Sequence, residues 1–479
     1  MKIYNSLTRK KDEITERKIG IYVCGPTVYD EPHIGHARSA YFFDCFVKYL
    51  RFRKFKVKFV RNVTDIDDKI IKRAKDETGS GTLKEKVKKI SERYLKSYHR
   101  DLELLGLSKP DKEPKATEVI KDIVVFIKRL IKRGFAYEAG GSVYFDIRKF
   151  KSYGKLSRQA IDEMEEGARI SLDKNKKDPL DFALWKTSKE DEPSWKSPWG
   201  EGRPGWHIEC SVMSTTFLGK DFLIHGGGLD LVFPHHENEI AQTVCAGKKN
   251  AKYWMHNGLL TIDGQKMSKS LGNFVSIKDF INQYKNVNIL KMLFLSTHYS
   301  HSLDYCQETI KQSTLALRGL QNFMWAVDRH ISLTNKYPEF GLPQFKYPSL
   351  KFREEVNKYK NEFICGMDDD LNTPKALASL FNIRDFVQKH AINPMRVDID
   401  DLKYAKCMIV ELSQILGLLL EKEKIDQGLE LYIKSKLKER AVARKEKNFK
   451  KADEIRNELE LKNIIIEDTG TDTIWRQGV

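Results

Sequence analysis

Ile19-Gly-Ile-Tyr-Val-Cys24-Gly25-Pro26, then His33-Ile-Gly-His36 with the apolar set Ala40, Phe43, Val47 and Leu50, then Phe55-Lys-Val57-Lys-Phe59, is the stretch that decides the fold. The first run is short, apolar and broken by Gly-Pro, which reads as a buried strand and its exit. The set from 40 to 50 recurs with the helical period, and the alternation from 55 to 59 is that of a strand. Strand, loop, helix and strand at this spacing form a parallel βαβ unit. The fold class read from it is α/β, with a Rossmann-like parallel sheet. In open sheets of this kind ligands bind beyond the carboxyl ends of the strands. Cys24 and the His33–His36 segment both fall at such an end.

Working outward, Ala116–Phe135 is an amphipathic helix. Residues 136–197 look irregular, with Pro179, Pro193 and the polar run Asp173–Asp178. They read as an insertion that splits the sheet domain. From about position 304 glycine is sparse and the helical period dominates. The expected organisation is a first catalytic half at 1–112, a connective insertion at 113–197 and a second catalytic half at 198–250. A linking region at 251–303, an all-α bundle at 304–420 and a small C-terminal domain at 421–479 follow. Two to four domains suit a chain of 479 residues.

The net charge of +17 fits either a lysine-rich solvated surface or a polyanionic partner, and charge alone does not choose between them. The seven cysteines are widely spaced and include no CxxC, which argues against a disulfide scaffold and for a reducing compartment. No apolar run reaches the ~20 residues of a membrane span, and the N-terminus lacks a signal-peptide core. A cytoplasmic protein without membrane contact is expected.

Several groups carry chemistry. In Phe233-Pro-His-His-Glu-Asn-Glu239, His235 and Glu239 share one helix face, a two-ligand metal spacing. Cys24 and Cys210 can complete a tetrahedral set of two sulfurs, one nitrogen and one oxygen, which favours Zn²⁺ over Mg²⁺ or Ca²⁺. His235, His236 and Glu237 equally describe a capped or salt-bridged helix start, and spacing cannot join the two distant cysteines to them. Gly226-Gly-Gly228 follows a strand-like segment, so it is either a plain tight turn or a place where nucleotide phosphates meet backbone amides. Asp230 is either a ribose-binding carboxylate or a helix cap. His33 and His36 open a helix on one side, with Gly35 leaving room between them for a base or ribose. Beside a nucleotide the imidazoles can donate to phosphate oxygens as charge builds. Lys266-Met-Ser-Lys-Ser270 follows the turn at Gly264 and reads as a flexible loop, in which Lys266 and Lys269, flanked by Ser268 and Ser270, are either solvated surface lysines or one end of a nucleotide site.

These strings resemble class I aminoacyl-tRNA synthetases, in which HIGH and KMSKS are the paired nucleotide motifs. Within that class they resemble the cysteinyl-tRNA synthetases. Supporting strings are Tyr22–Asp30, Arg61-Asn-Val-Thr-Asp-Ile-Asp-Asp-Lys69, Glu192-Pro-Ser-Trp195, Gly202–Cys210, Phe233–Gln242 and Met367-Asp-Asp-Asp-Leu-Asn-Thr-Pro374. The resemblance covers nearly the whole chain. It implies one Zn²⁺ on Cys24, Cys210, His235 and Glu239 at the floor of a cysteine pocket lined by Thr64, Trp206 and His235. It implies that His33, His36, Lys266 and Lys269 act on ATP, which arrives with Mg²⁺. It implies two steps: activation of L-cysteine to its adenylate, and transfer of the cysteinyl group to the 3′ end of tRNA-Cys. It also implies a tRNA-contacting bundle at 304–420, an anticodon-binding end where Arg444, Asp453 and Asp468 are candidate base contacts, and a monomer. The chain departs from the family at Gln477, where a second consecutive arginine is common. Two other readings differ in class. An amino-sugar cysteine ligase lacks the long basic C-terminal region, and a noncatalytic RNA-binding paralogue loses metal ligands or KMSKS lysines.

Overall fold

The structure, a computed structural model, describes residues 1–159, 174–267, 271–336, 348–392, 398–420, 427–462, 464–468 and 473–477. Ser268 and Lys269, two of the candidate nucleotide-binding residues, lie outside them.

The central sheet is parallel, with β3 (Lys18–Val23), β4 (Lys56–Arg61), β10 (Phe222–Gly228) and β11 (Tyr253–Asn257) in the order β11-β10-β3-β4. The inner pair comes from opposite sides of the insertion, so the two catalytic halves share one hydrogen-bonded ladder: Ile21 lies opposite both Phe59 and Ile224. The edge strand β11 lies wholly beyond position 250, where the sequence puts the end of the second half. Side chains of β3 alternate faces, as a pleated strand requires. Ile19, Ile21 and Val23 join the core formed with helix α1 (Ile34–Phe52), whereas Tyr22 points into a second core with Phe222 and Trp254.

The second core is shared with the insertion, and here the structure corrects the sequence reading. The described part of 136–197, residues 136–159 and 174–197, is not irregular. Together with Gly200–Pro204 it holds a five-stranded antiparallel sheet of β5 (Ala136–Ala139), β6 (Ser142–Phe145), β7 (Phe182–Thr187), β8 (Trp195–Ser197) and β9 (Gly200–Pro204), in the order β5-β6-β7-β9-β8. Its strands are three to six residues long, so each period-two pattern is too short to stand out between prolines and lysines. Helix α4 (Ile120–Lys132) lines this core with Ile123, Phe126, Ile127 and Leu130. The joint between insertion and sheet domain is ionic: Arg203 donates to Glu192 (2.6 Å) and Asp68 (2.9 Å), and Lys75 and Lys186 pair with the same two carboxylates.

Beyond the sheet, a hairpin of β12 (Leu260–Ile262) and β13 (Gln265–Lys266) leads to the loop whose lysines the sequence singled out, and β14 (Leu303–Tyr305) pairs with β12. Four helices then pack together: Gln307–Lys336, Ser349–Asp368, Thr373–Val387 and Ile399–Ile415. Helix α1 docks on them through one face. At four-residue intervals Tyr41 donates to the Leu416 carbonyl (2.5 Å), Cys45 to that of Ile415 (3.6 Å), Tyr49 to Asp368 (2.7 Å), and Arg53 pairs with Asp368. The C-terminal module consists of helices Gln427–Lys445 and Phe449–Leu461 and the hairpin β15 (Ile464–Asp468) and β16 (Thr473–Gln477). Its core, among the described residues, centres on Ile433, Ile455, Leu459, Ile464 and Ile466. No helix among the described residues is long and apolar enough to cross a membrane.

Candidate metal and nucleotide site

At the carboxyl ends of β3 and β10 four polar side chains converge in the interior. Cys24 follows β3, Cys210 lies on helix α5 (Trp206–Leu218), and His235 and Glu239 stand around the start of helix α6 (Glu237–Cys245). Phe233 is extended (φ −134°, ψ 134°), and the chain winds from there into α6, which turns His235 and Glu239 to the same side. The donor atoms of Cys24, Cys210, His235 and Glu239 all lie within 4.8 Å of one another. Cys24 and Cys210 are 3.7 Å apart at sulfur, and His235 Nε2 is 3.1 Å from Glu239 Oε1. Two thiolates ~2.3 Å from a tetrahedral zinc stand roughly 3.7 Å apart, so the sulfur spacing fits that ion. Glu239 Oε2 is buried with no hydrogen-bond partner among the described residues, and a buried carboxylate oxygen of that kind is one a cation can satisfy.

The electrostatics of the cluster pull its members in different directions. Burial opposes charge on every member of the cluster. Yet the hydrogen bond from Cys24 and the neighbouring His235 bring the Cys210 thiol down to about 6. Likewise, against burial, His225 and His235 hold Glu239 down at about 2. Burial drives Cys24 the other way, well above the usual thiol range, with Cys210 adding to the effect. The two thiols are linked directly, Cys24 Sγ donating toward Cys210 Sγ at 3.7 Å.

A second set, Cys24, His225, His236 and Glu239, also lies within 4.8 Å. Its histidines also turn a ring nitrogen on the cluster, His236 Nε2 at 3.3 Å and His225 Nε2 at 3.4 Å from Cys24 Sγ, while on their outer sides His236 Nδ1 meets His256 Nε2 at 2.8 Å, His256 Nδ1 meets Ser6 Oγ at 2.7 Å, and His225 stacks on Trp254. His207 Nδ1 stands 2.9 Å from His235 Nδ1 and so leaves His235 Nε2 to face Glu239. Trp206 lies against the His235 ring at 4.3 Å, and Thr64 donates to the buried Glu209 at 3.0 Å. The remaining residues of the HHENE string serve the insertion: Glu237 accepts from the amides of Leu156 (3.0 Å) and Ser157 (2.8 Å), and Asn238 accepts from Tyr153. The helix-cap alternative for Glu237 thus gives way to a tie between segments.

On the nucleotide side, His33 is the N-cap of α1. Its Nδ1 accepts from the amides of Gly35 (3.1 Å) and His36 (3.3 Å), and His36 Nδ1 accepts in return from the His33 amide (3.3 Å). Each neutral ring therefore carries its proton on Nε2. Burial and the neighbouring His33 push His36 down to about 3, which keeps it neutral. The rings stack at 3.6 Å, so two Nε2–H donors lie side by side. Gly35 leaves no space for a side chain: a Cβ there would stand 2.9 Å from His33 Nδ1 and 3.3 Å from Met267 Cε. The helix start is also bonded to the segment beyond the loop, by Ile34 N to Val275 O (3.1 Å) and Ile277 N to Pro32 O (3.2 Å). Lys266 ends the hairpin and is exposed.

The triple glycine is another correction. It is not a turn after the strand but the last part of β10, paired with Met255, His256 and Asn257. Close packing explains the residue type: a Cβ at Gly226 would lie 2.3 Å from the Phe43 ring, and one at Gly227 2.8 Å from His236. Asp230 is exposed in the turn just beyond, its carboxylate 2.4 Å from a Cβ placed on Gly228.

The description "tRNA synthetases class I (C) catalytic domain" matches residues 10–315, "DALR domain" matches 362–421, and "Cysteinyl-tRNA ligase anticodon binding domain" matches 427–476. The cysteine–tRNA ligase of Thermodesulfovibrio yellowstonii is 46% identical and the alignment covers 99% of each chain. That of a Geobacillus species is 43% identical over 100% of this chain and 99% of its own. The chain belongs to the cysteinyl-tRNA synthetase family. Its fold is that of class I synthetases more widely. Mycobacterium tuberculosis methionyl-tRNA synthetase in complex with methionyl-adenylate superposes with a TM-score of 0.60 at 14% identity, over 84% of this chain and 90% of that one. A putative arginyl-tRNA synthetase from Campylobacter jejuni gives 0.57 at 14% identity, over 84% and 93%.

In the C-terminal module Asp468 is heavily engaged: Arg440 donates to both carboxylate oxygens (2.6 and 2.9 Å), Thr473 to one (2.8 Å), and Arg444 pairs with the other. Asp453 is exposed on its helix. The sequence reading assigned nothing to His207, His225, His256 or Glu209. For His207 and Glu209 the signal was at hand, since both flank Trp206 and Cys210 within one helix. For His256 no local pattern marks the residue.

Proposed function

We propose that this chain couples L-cysteine to tRNA-Cys at a site where Cys24, Cys210, His235 and Glu239 hold one zinc ion. The cysteine–tRNA ligase activity follows from family membership over the whole chain. The observation that carries the finer reading is the buried two-sulfur, one-nitrogen, one-oxygen cluster at the carboxyl ends of β3 and β10. A zinc ion bound there supplies a soft Lewis acid that prefers a substrate thiolate to the hydroxyl of serine. A hydrophobic pocket alone separates such near-isosteres by only ~10²-fold. Thr64 and Trp206 line the pocket, and Glu209 and His207 orient Thr64 and His235.

For activation, the substrate carboxylate attacks the α-phosphate of ATP, which arrives with Mg²⁺, and pyrophosphate leaves. The Nε2–H groups of His33 and His36 donate to phosphate oxygens from one side. Lys266 and Lys269, with Ser268, close from the other, while Gly226, Gly228, Gly35 and Asp230 bound the adenosine. A terminal ribose hydroxyl of the tRNA then attacks the adenylate carbonyl, and AMP leaves. No protein nucleophile takes part, so catalysis is placement and charge stabilisation. Arg444, Asp453 and Asp468 contact the anticodon, with Asp468 doing so only if it exchanges part of its arginine pairing. The thiols, none of them in a disulfide, suit the reducing cytoplasm, and we take the working form to be a monomer.

Charging of unfractionated tRNA with labelled cysteine, with serine alongside, tests the reading. Cysteine alone is the expected product. Cysteine-dependent pyrophosphate exchange without charging overturns the tRNA step in favour of a small-molecule ligase.

A further inference from the structure

Two residues past His36, helix α1 carries Arg38, which the chemistry above does not use. It is 3% exposed, and its guanidinium donates to four backbone carbonyls: Leu259 (2.7 Å), Gly258 (2.8 Å), His301 (2.6 Å) and Tyr299 (3.4 Å). Among the described residues no carboxylate pairs with it. Burial pushes its pKa down to about 10, which leaves it charged at neutral pH. A buried cation without an anion is costly to desolvate, so its value lies in what it holds rather than in the charge itself.

What it holds is the base of the loop-bearing hairpin. Gly258 and Leu259 immediately precede β12, and Tyr299 and His301 precede β14, which pairs with β12. The two segments approach so closely that a Cβ on Gly258 would lie 2.2 Å from the His301 carbonyl oxygen. The second segment is anchored to the helical bundle, because Tyr299 donates to Asp370 at 2.8 Å and His298 Nε2 meets the Asp370 carbonyl at 2.9 Å. The exit of the loop is fixed separately, by the bonds of Ile34 and Ile277 at the start of α1.

We propose that Arg38 is a positioning residue for amino-acid activation: it fixes the root of the β12–β13 hairpin, and hence Lys266, relative to His33 and His36 on the same helix. The assignment rests on the ligase reading above. Both sides of the triphosphate are then set by one rigid rod. Lysine in place of Arg38 keeps a charge and loses the planar fork that spans two segments.

The test measures the two half-reactions separately in full-length wild type, Arg38→Lys and Arg38→Ala, with thermal unfolding alongside. In Arg38→Lys the kcat of cysteine-dependent pyrophosphate exchange falls roughly tenfold, as expected of a sub-ångström misplacement. The KM for cysteine, and transfer from preformed cysteinyl-adenylate to tRNA, stay within about threefold of wild type. Methylguanidinium added to Arg38→Ala recovers part of the lost kcat. Unchanged exchange in Arg38→Lys, or equal losses in both half-reactions, overturns the assignment. If Arg38→Ala does not fold, Arg38→Lys decides by itself. Absence of cysteine-dependent exchange in wild type strikes the ligase reading, and this assignment with it.

Discussion

At the strand ends, Cys24, Cys210, His235 and Glu239 lie buried with their donor atoms turned on one another, and Glu239 Oε2 has no partner among the described residues. In the C-terminal module the Asp468 carboxylate takes bonds from Arg440, Arg444 and Thr473. Both regions gather ionisable groups around one carboxylate. In the module each charge meets an opposite charge supplied by the chain, and the cluster stitches a hairpin to a helix. On the floor of the sheet the chain supplies acceptors beyond what its own donors satisfy. An arrangement of that kind is costly to fold and makes sense where an ion from outside completes it. Clustered charge is thus a poor guide to function by itself, and the convergence of two thiols, an imidazole and a carboxylate on one point is the better one.

The sharpest way to break this contrast is Cys210→Ser. Loss of a soft ligand should remove several kcal/mol, lowering cysteine-dependent pyrophosphate exchange by ~10³-fold and bound zinc, measured by elemental analysis, to well under one per chain. Full zinc occupancy with normal exchange would place the metal elsewhere. Lys269→Ala addresses the nucleotide side without touching the floor. It should lower the single-turnover activation rate by roughly 10²–10³ while leaving zinc content intact, and an unchanged rate removes Lys269 from the chemistry.

His207→Ala probes how finely the floor is held. With its Nδ1 partner gone, His235 loses orientation, and zinc affinity measured by chelator competition should drop about 10–100-fold. In the C-terminal module, Arg440→Met should act on stability and tRNA instead. The arginine is 3% exposed and Asp468 31%, so the pair is partly screened and its loss should cost about 1–3 kcal/mol. Charging should weaken while cysteine-dependent exchange stays within about twofold; a parallel loss in exchange would mean that the module is not a separate stabilising unit.

The smallest effect is on pH. The bonds from Arg440, Thr473 and Arg444 outweigh burial and hold the Asp468 carboxyl well below its usual range. A depressed folded-state pKa adds stability that is present above the unfolded value of ~3.9 and is lost as pH falls through the folded one. The stability gap between wild type and Asp468→Asn, followed by unfolding of the full chain, should therefore narrow on acidification below about pH 4. A gap that widens would reverse the sign of the argument.

The parts of this molecule that could be read from sequence are those where one periodicity runs long enough to be unambiguous. Helix α1 and its flanking strands qualify, and so does the spacing of His235 and Glu239. The insertion does not: Ser142–Phe145 and Trp195–Ser197 are strands only because neighbours supply the ladder. The triple glycine misled for a related reason. Glycine commonly marks a turn, but here it marks a strand pressed against Phe43 and His236, a tertiary fact with no local trace. Cys24 and Cys210 are 186 positions apart, and only the pairing of β3 with β10 brings them together. Arg38 was passed over because nothing in a helix sequence separates a buried arginine that binds carbonyls from one that faces water.

Helix α1 begins with the imidazole pair and, from Tyr41 onward, presents one side chain every four residues to the bundle. Its 19 residues span about 28 Å at 1.5 Å per residue. Substitutions along this rod can drift, but its length cannot. Inserting or deleting one residue between His36 and Tyr41 would swing the docking face by about 100° and turn Tyr41, Cys45 and Tyr49 away from their acceptors. Natural and designed variants of this protein should therefore tolerate insertions almost anywhere before they tolerate one here, and α1 offers a fixed ruler for aligning distant sequences.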